Sequence, residues 1–129
     1  VSGAKRVVIA DDDADIRGLM VIAANRAGVE IAAAVDNGQA ALDAVNEGGV
    51  DLAVLDISMP GLNGVEVAEA IRGDALTKDT LILMVSASVQ LLTDHGVVAN
   101  RSDSFIIKPF SPRVLSDRIR SMLGLGEPA

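Results

Sequence analysis

Short β-branched runs alternate with stretches of helical spacing along the whole chain. Arg6 to Ala10 (RVVIA) is the first, and its length and branching predict a buried strand. Ile16, Leu19, Met20 and Ala23 then recur at helical spacing, with Gly28 as the stop. Val29 to Val35 (VEIAAAV) reads as a second strand, weakened by its alanines. Gln39 to Glu47 reads as a helix with Leu42 and Val45 inward, ended by Gly48-Gly49. Asp51 to Asp56 (DLAVLD) is the third strand, and a loop with Pro60, Gly61 and Gly64 leads into a helix from Val65 to Arg72. Thr80 to Ser86 (TLILMVS) is the fourth strand and the most apolar. A further helix is expected near Val89 to Leu92, and Ser104 to Ile107 is the fifth strand. Pro112 suits the first turn of a last helix, where its missing N–H costs nothing. Leu115, Ile119 and Met122 share one face of it.

Strand followed by helix, repeated five times, predicts an α/β fold: a doubly wound parallel sheet covered by helices on both faces. No internal repeat or low-complexity tract interrupts it. One domain is expected over residues 5–123, with an N-terminal extension at 1–4 and a tail or linker start at 124–129.

Composition narrows the chemistry. The net charge of −7 argues against direct nucleic-acid binding by this domain, and two phenylalanines with no Trp or Tyr leave little for base stacking. There is no cysteine, so disulfides, thiolate metal sites and thiol nucleophiles are excluded. His95 is the lone histidine, which excludes a multi-histidine site. No apolar run is long enough to span a membrane, and residues 1–6 lack the apolar core of a signal peptide.

In open parallel sheets, ligands bind beyond the carboxyl ends of the strands. The first strand ends in Asp11-Asp12-Asp13, the third in Asp56 and the fourth in Ser86, while the fifth leads into Lys108-Pro109. Each of these alone has an ordinary explanation as a helix cap or a solvated side chain, and Asp13 is read as the cap of the helix starting near Ala14. Their convergence on one edge is the informative feature. Carboxylates about 4 Å apart repel by about 4 kcal/mol at an effective dielectric near 20, so a countercharge is required. Mg²⁺ suits such an oxygen-only site, and Mg²⁺, a lysine and a hydroxyl together complement a phosphoryl group. Two look-alikes fail. A calcium-binding loop starting at Asp11 would need Gly and Glu where Ile16 and Ile22 stand. The Asp11-x-Asp13 start of a dehalogenase-type phosphatase signature continues with Asp15 rather than Thr or Val.

These residues resemble the receiver domain of two-component response regulators, from Lys5 to Leu123. The resemblance is carried by Asp11-Asp12, by Asp51-x-x-x-x-Asp56-x-x-Met59-Pro60-x-x-x-Gly64, by Ser86-Ala87 and by Lys108-Pro109-Phe110. It implies a flavodoxin-like fold with strand order 2-1-3-4-5. It also implies a phosphorylation switch in which Asp56 accepts a phosphoryl group from a sensor histidine kinase or histidine phosphotransfer protein. Asp12, Asp56 and the backbone carbonyl of Ser58 are then expected to bind Mg²⁺, with Asp11 acting through a bound water. Lys108 and Ser86 are expected to contact the phosphoryl oxygens, and Phe105 to turn inward on activation. Pro60, Gly64 and Pro109 shape the site, with a cis bond expected before Pro109. The resemblance implies a signalling domain, not an enzyme; its chemistry extends at most to its own phosphorylation and dephosphorylation. A cytoplasmic location and an unknown output target, separate or fused, complete the expectation. The segment Gly96 to Asp103 departs from the compact Gly-Ala-Asp common before the fifth strand of the family.

Overall fold

The computed structural model describes residues 4–88, 90 and 103–126. Its strands are β1 (Arg6–Ala10), β2 (Glu30–Val35), β3 (Leu52–Asp56), β4 (Leu81–Ser86) and β5 (Ser104–Ile107). They form one parallel sheet in the order β2-β1-β3-β4-β5, the expected topology. The helices among the described residues are α1 (Ala14–Ala27), α2 (Gly38–Asn46), α3 (Gly64–Gly73) and α4 (Pro112–Leu123). The helix expected near Val89 to Leu92 lies outside the described residues except for Gln90, as does the segment from Gly96 except for Asp103.

The sheet is covered on both faces, which explains why its central strands read as continuous apolar runs rather than alternating ones. Val8, Ala10, Ala53, Leu55, Ile82 and Met84 face α2 and α3. Val7, Ile9, Leu52, Val54, Leu83 and Val85 face α1 and α4, where Ala23, Ala24 and Ala27 of α1 share a cluster with Leu115 and Ile119. β2 is an edge strand and only partly covered, so its small alanines suffice.

The strand boundaries differ from the sequence reading by one residue at three places, each for a local reason. Val29 completes the turn after α1, with its N–H bonded to Ala24 O and Gly28 left-handed at φ 81°. Asp51 spends its carboxylate on the Arg6 N–H at 2.8 Å. Thr80 closes a turn and donates its hydroxyl to Val50 O at 3.2 Å. Capping follows the expected chemistry. Asp13 accepts from the N–H groups of Asp15 and Ile16. Asn63 and Glu66 form a reciprocal capping box ahead of α3. The stretch from Gly124 begins as a helix-ending turn: Gly124 is left-handed, Leu125 packs on the core, and Arg120 donates to the carbonyls of Leu125 and Gly126.

Candidate functional site

Parallel pairing sends the carboxyl ends of all the strands to one edge, and the register decides what meets there. Ala10 lies opposite Leu55, Asp56 opposite Val85, and Ser86 opposite Ile107. Asp11 and Lys108 are the next residues after Ala10 and Ile107, so both arrive beside Asp56. Hydrogen bonds continue the ladders past the strands: Asp11 N–H donates to Val35 O, Ile57 N–H to Val85 O, and Lys108 N–H to Ser86 O. Asp11 and Asp56 therefore stand on fixed backbone rather than on free loops.

Asp11 has no exposed surface and Asp56 is 4% exposed, while Asp12 is open to solvent. One carboxylate oxygen from each of the three lies within 4.8 Å of the others. The Lys108 ammonium stands 3.0 Å from Asp11 Oδ2 and 3.5 Å from Asp56 Oδ2. Asp11 Oδ1 accepts the Asp13 N–H at 2.9 Å. Its Oδ2 is buried, with the Lys108 ammonium at ion-pair distance and no other partner.

Burial, and next the charge of Asp11, push the Asp56 carboxyl up from 3.8 to about 6, against the pull of Lys108 and of a hydrogen bond from the Ser58 backbone. Burial also works against the Lys108 ammonium. The carboxylates of Asp11 and Asp56 outweigh it and hold the lysine above its ordinary 10.5. One lysine against three close carboxylates leaves an excess of negative charge. The oxygen-only donor set and the unsatisfied Oδ2 of Asp11 fit a hard divalent cation.

The loop after Asp56 is built by close approach. Gly64 N–H closes it onto Ile57 O at 2.9 Å, and a Cβ at Gly64 would overlap the Asp56 carbonyl oxygen. Pro60 is exposed at the turn, beside Gly61 in the left-handed region, and Met59 anchors the loop in the core. The Lys108–Pro109 peptide bond is cis, as expected.

Asp11, Asp12, Asp56 and Lys108 thus come together, and the Ser58 backbone N–H bonds to Asp56. Ser86 reaches the same edge, but its hydroxyl donates to Ser88 O at 2.9 Å and accepts the Ser88 N–H at 3.2 Å. Phe105 is 38% exposed, at the surface of the edge strand β5. Two residues escaped the sequence reading. Arg17, one turn into α1, donates Nη1 to the Asp11 carbonyl at 2.9 Å. Gly38, at the start of α2, touches the backbone of Leu62 in the loop after Asp56. An Asn-Gly pair at a helix start was the available signal for Gly38; nothing in the local sequence singles out Arg17.

A doubly wound sheet with an acidic cluster and a lysine at its carboxyl edge defines a receiver-type domain. The chain matches the family model for the response regulator receiver domain over residues 7–120 and belongs to that family. It is 35% identical over 119 residues to the phosphate regulon transcriptional regulatory protein PhoB of Pseudomonas aeruginosa, covering 92% of this chain and 52% of that protein. It is 32% identical over 119 residues to the DNA-binding response regulator MtrA of Mycobacterium tuberculosis, covering 92% of this chain and 50% of the relative. The chain therefore spans about half the length of the curated relatives it matches. Among solved structures, the response regulator TrrA of Thermotoga maritima in complex with Mg²⁺ and BeF is similar with a TM-score of 0.79 and 33% identity, over 92% of this chain and 98% of that one. The chemotaxis response regulator CheY4 of Vibrio cholerae gives 0.80 and 26%, over 92% and 98%. No described helix is long and apolar enough to cross a membrane.

Proposed function

We propose that this domain is a phosphoacceptor switch of a two-component phosphorelay, with Asp56 as the acceptor. The observation that carries the proposal is Lys108 set between Asp11 and Asp56 within a trio of carboxylates at the carboxyl edge of the sheet. Asp12, Asp56 and the Ser58 carbonyl, with Asp11 behind them through a bound water, would hold Mg²⁺, which supplies charge neutralisation at the phosphoryl group. An Asp56 carboxylate oxygen forms the new bond to phosphorus. The P–N bond of a phosphohistidine donor breaks, and its electron pair leaves with the imidazole. Lys108 then pairs with a phosphoryl oxygen instead of with Asp56.

Asp56 is a better nucleophile than Asp11. Asp11 is fully buried, holds the Asp13 N–H on one oxygen and faces Lys108 with the other. That weighs against a phosphohydrolase working through Asp11. The domain is not a turnover enzyme on this reading, and its chemistry ends with its own phosphorylation and dephosphorylation. The outward Phe105 and the Ser86 hydroxyl engaged with Ser88 fit the unphosphorylated state of the switch. Phosphorylation can shift that state only through contacts that differ between the two, and Ser86 and Lys108 are the groups able to make them. The partner is a sensor histidine kinase or phosphotransfer protein, the site of action is the cytoplasm, and the output is a separate target or a fused domain.

Intact mass after incubation with Mg²⁺ and acetyl phosphate tests this. One phosphoryl adduct is expected, absent without Mg²⁺ and absent in Asp56→Asn. An adduct that survives in Asp56→Asn overturns the assignment of the acceptor.

A further inference from the structure

The turn between β2 and α2 touches the backbones that carry two of the acidic residues. At one end, Val35 O accepts the Asp11 N–H at 3.1 Å. At the other, Gly38 presses against Leu62, in the loop that leaves Asp56. A Cβ at Gly38 would fall on the carbonyl oxygen of Leu62, 2.7 Å from its carbonyl carbon and 2.8 Å from its Cβ. Gly38 is buried, and its φ is not in the left-handed region that glycine alone visits freely. The requirement for glycine is therefore steric and comes from the facing loop. That loop is closed at its base by Gly64 N–H on Ile57 O. Gly38 is a second brace, acting on Leu62, two residues before Gly64.

Resting on the phosphoacceptor reading above, we propose that Gly38 is a positioning residue for the metal and phosphoryl site. Its lack of a side chain lets the start of α2 sit against Leu62, which sets where the loop holds Asp56 and Ser58 relative to Asp11 and Asp12. The helix start is itself well fixed, since Asn37 caps it by accepting the Ala40 N–H at 2.8 Å. A methyl group at Gly38 cannot be absorbed by a flexible side chain, because the first atoms it meets are backbone. Either the loop or the helix start must shift, and a shift of about 1 Å at a reacting centre is enough to matter.

The test compares Gly38→Ala with wild type and with Gly18→Ala, a site with open space around it. Three readouts are taken on the whole chain: Mg²⁺ affinity by calorimetry, amide exchange of residues 57–63 without metal, and the rate of phosphorylation by acetyl phosphate at saturating Mg²⁺. In Gly38→Ala, Mg²⁺ should bind roughly tenfold more weakly or worse, the scale on which outer partners act at metal sites. The loop amides should exchange faster even without metal, and Gly18→Ala should match wild type in all three. A folded Gly38→Ala with wild-type Mg²⁺ affinity and loop exchange overturns the proposal.

Should Gly38→Ala not fold, Asn37→Ala loosens the same helix start without adding an atom. Arg120→Ala, at the opposite end of the fold, is its control for a general loss of stability. Weaker Mg²⁺ binding in the first and not in the second supports the brace, and equal binding in both overturns it. The two failures are distinguishable. A wild-type protein that neither binds Mg²⁺ nor takes a phosphoryl group defeats the functional reading itself, whatever Gly38 does.

Discussion

The Lys108 ammonium lies 3.0 Å from Asp11 Oδ2, an atom with no other partner on a residue with no exposed surface. A buried carboxylate is tolerable only with a partner of opposite charge. Lys108 is therefore engaged chiefly with Asp11 and stands farther from Asp56, at 3.5 Å. Asp56 is the carboxylate farther from the ammonium, and burial followed by the charge of Asp11 pushes its pKa up to about 6. The lysine that stands closest to Asp11 thus leaves Asp56 with the cost of burial.

That cost makes stability depend on pH. The folded Asp56 carboxyl titrates near 6 against a reference of 3.8, so between those values the folded chain binds more protons than the unfolded one. The stabilising contribution of the protonated form is fully present below about pH 3.8 and is lost as pH rises through about 6. Asp56→Asn does not titrate. In urea unfolding with EDTA, the stability of wild type relative to Asp56→Asn should fall across that window and level off above it, with the variant the more stable at neutral pH. A difference independent of pH would contradict this.

Cation binding should act in the opposite sense. A ligand that binds only the folded state at about 100 times its dissociation constant stabilises by about 2.7 kcal/mol. Mg²⁺ should therefore raise the melting temperature of the wild-type protein by several degrees at neutral pH. Asp12 is exposed, so Asp12→Ala should leave the metal-free melt unchanged or raise it by relieving repulsion. The Mg²⁺-induced rise should disappear in that variant. A rise of wild-type size in Asp12→Ala would remove Asp12 from the metal site.

Two glycines should respond to the same substitution with opposite signs. Gly64→Ala places a methyl group against the Asp56 carbonyl, where overpacking costs about 1–3 kcal/mol. Gly18→Ala fills open space on α1 and should gain up to about 1 kcal/mol from helix propensity. Urea midpoints at constant slope measure both. Equal shifts in the two variants would mean that the close approach at Gly64 is not a real constraint.

The alternation of apolar runs carried most of the architecture because each central strand is buried on both faces, so Val7 to Ala10 and Ile82 to Val85 had to be apolar throughout. The acidic site was legible for a related reason: parallel strands deliver their last residues to one edge, so Asp11, Asp56 and Lys108 could be gathered without knowing a distance. What could not be read were contacts made by backbone. Gly38 against Leu62, and Arg17 on the Asp11 carbonyl, depend on how closely two segments approach, which residue types do not encode. The direction of the Ser86 hydroxyl is likewise a rotamer choice, settled by its bonds to Ser88 rather than by its place in the chain.

Arg120 ties Leu125 and Gly126 to the far side of the fold. Its guanidinium donates to Ala27 O at 2.8 Å, to Leu125 O at 2.8 Å and to Gly126 O at 2.9 Å. Ala27 is the last residue of α1, where helix carbonyls lack partners within the helix. One side chain thus completes the end of α1 and fixes the first residues beyond α4. Hydrogen bonds from a charged donor are worth roughly 1.5–3 kcal/mol when buried, and partial exposure of Arg120 lowers the expectation to about 1–2 kcal/mol for Arg120→Ala. Arg120→Lys should recover little of it, because a compact ammonium cannot reach three carbonyls as the planar fork does. The site at the opposite edge of the sheet should still take a phosphoryl group at the wild-type rate. Urea unfolding gives the stability loss, and limited proteolysis should cut the stretch after Leu123 faster in Arg120→Ala. An unchanged urea midpoint with unchanged cleavage would show that Leu125, packed on the core, holds that stretch without the arginine.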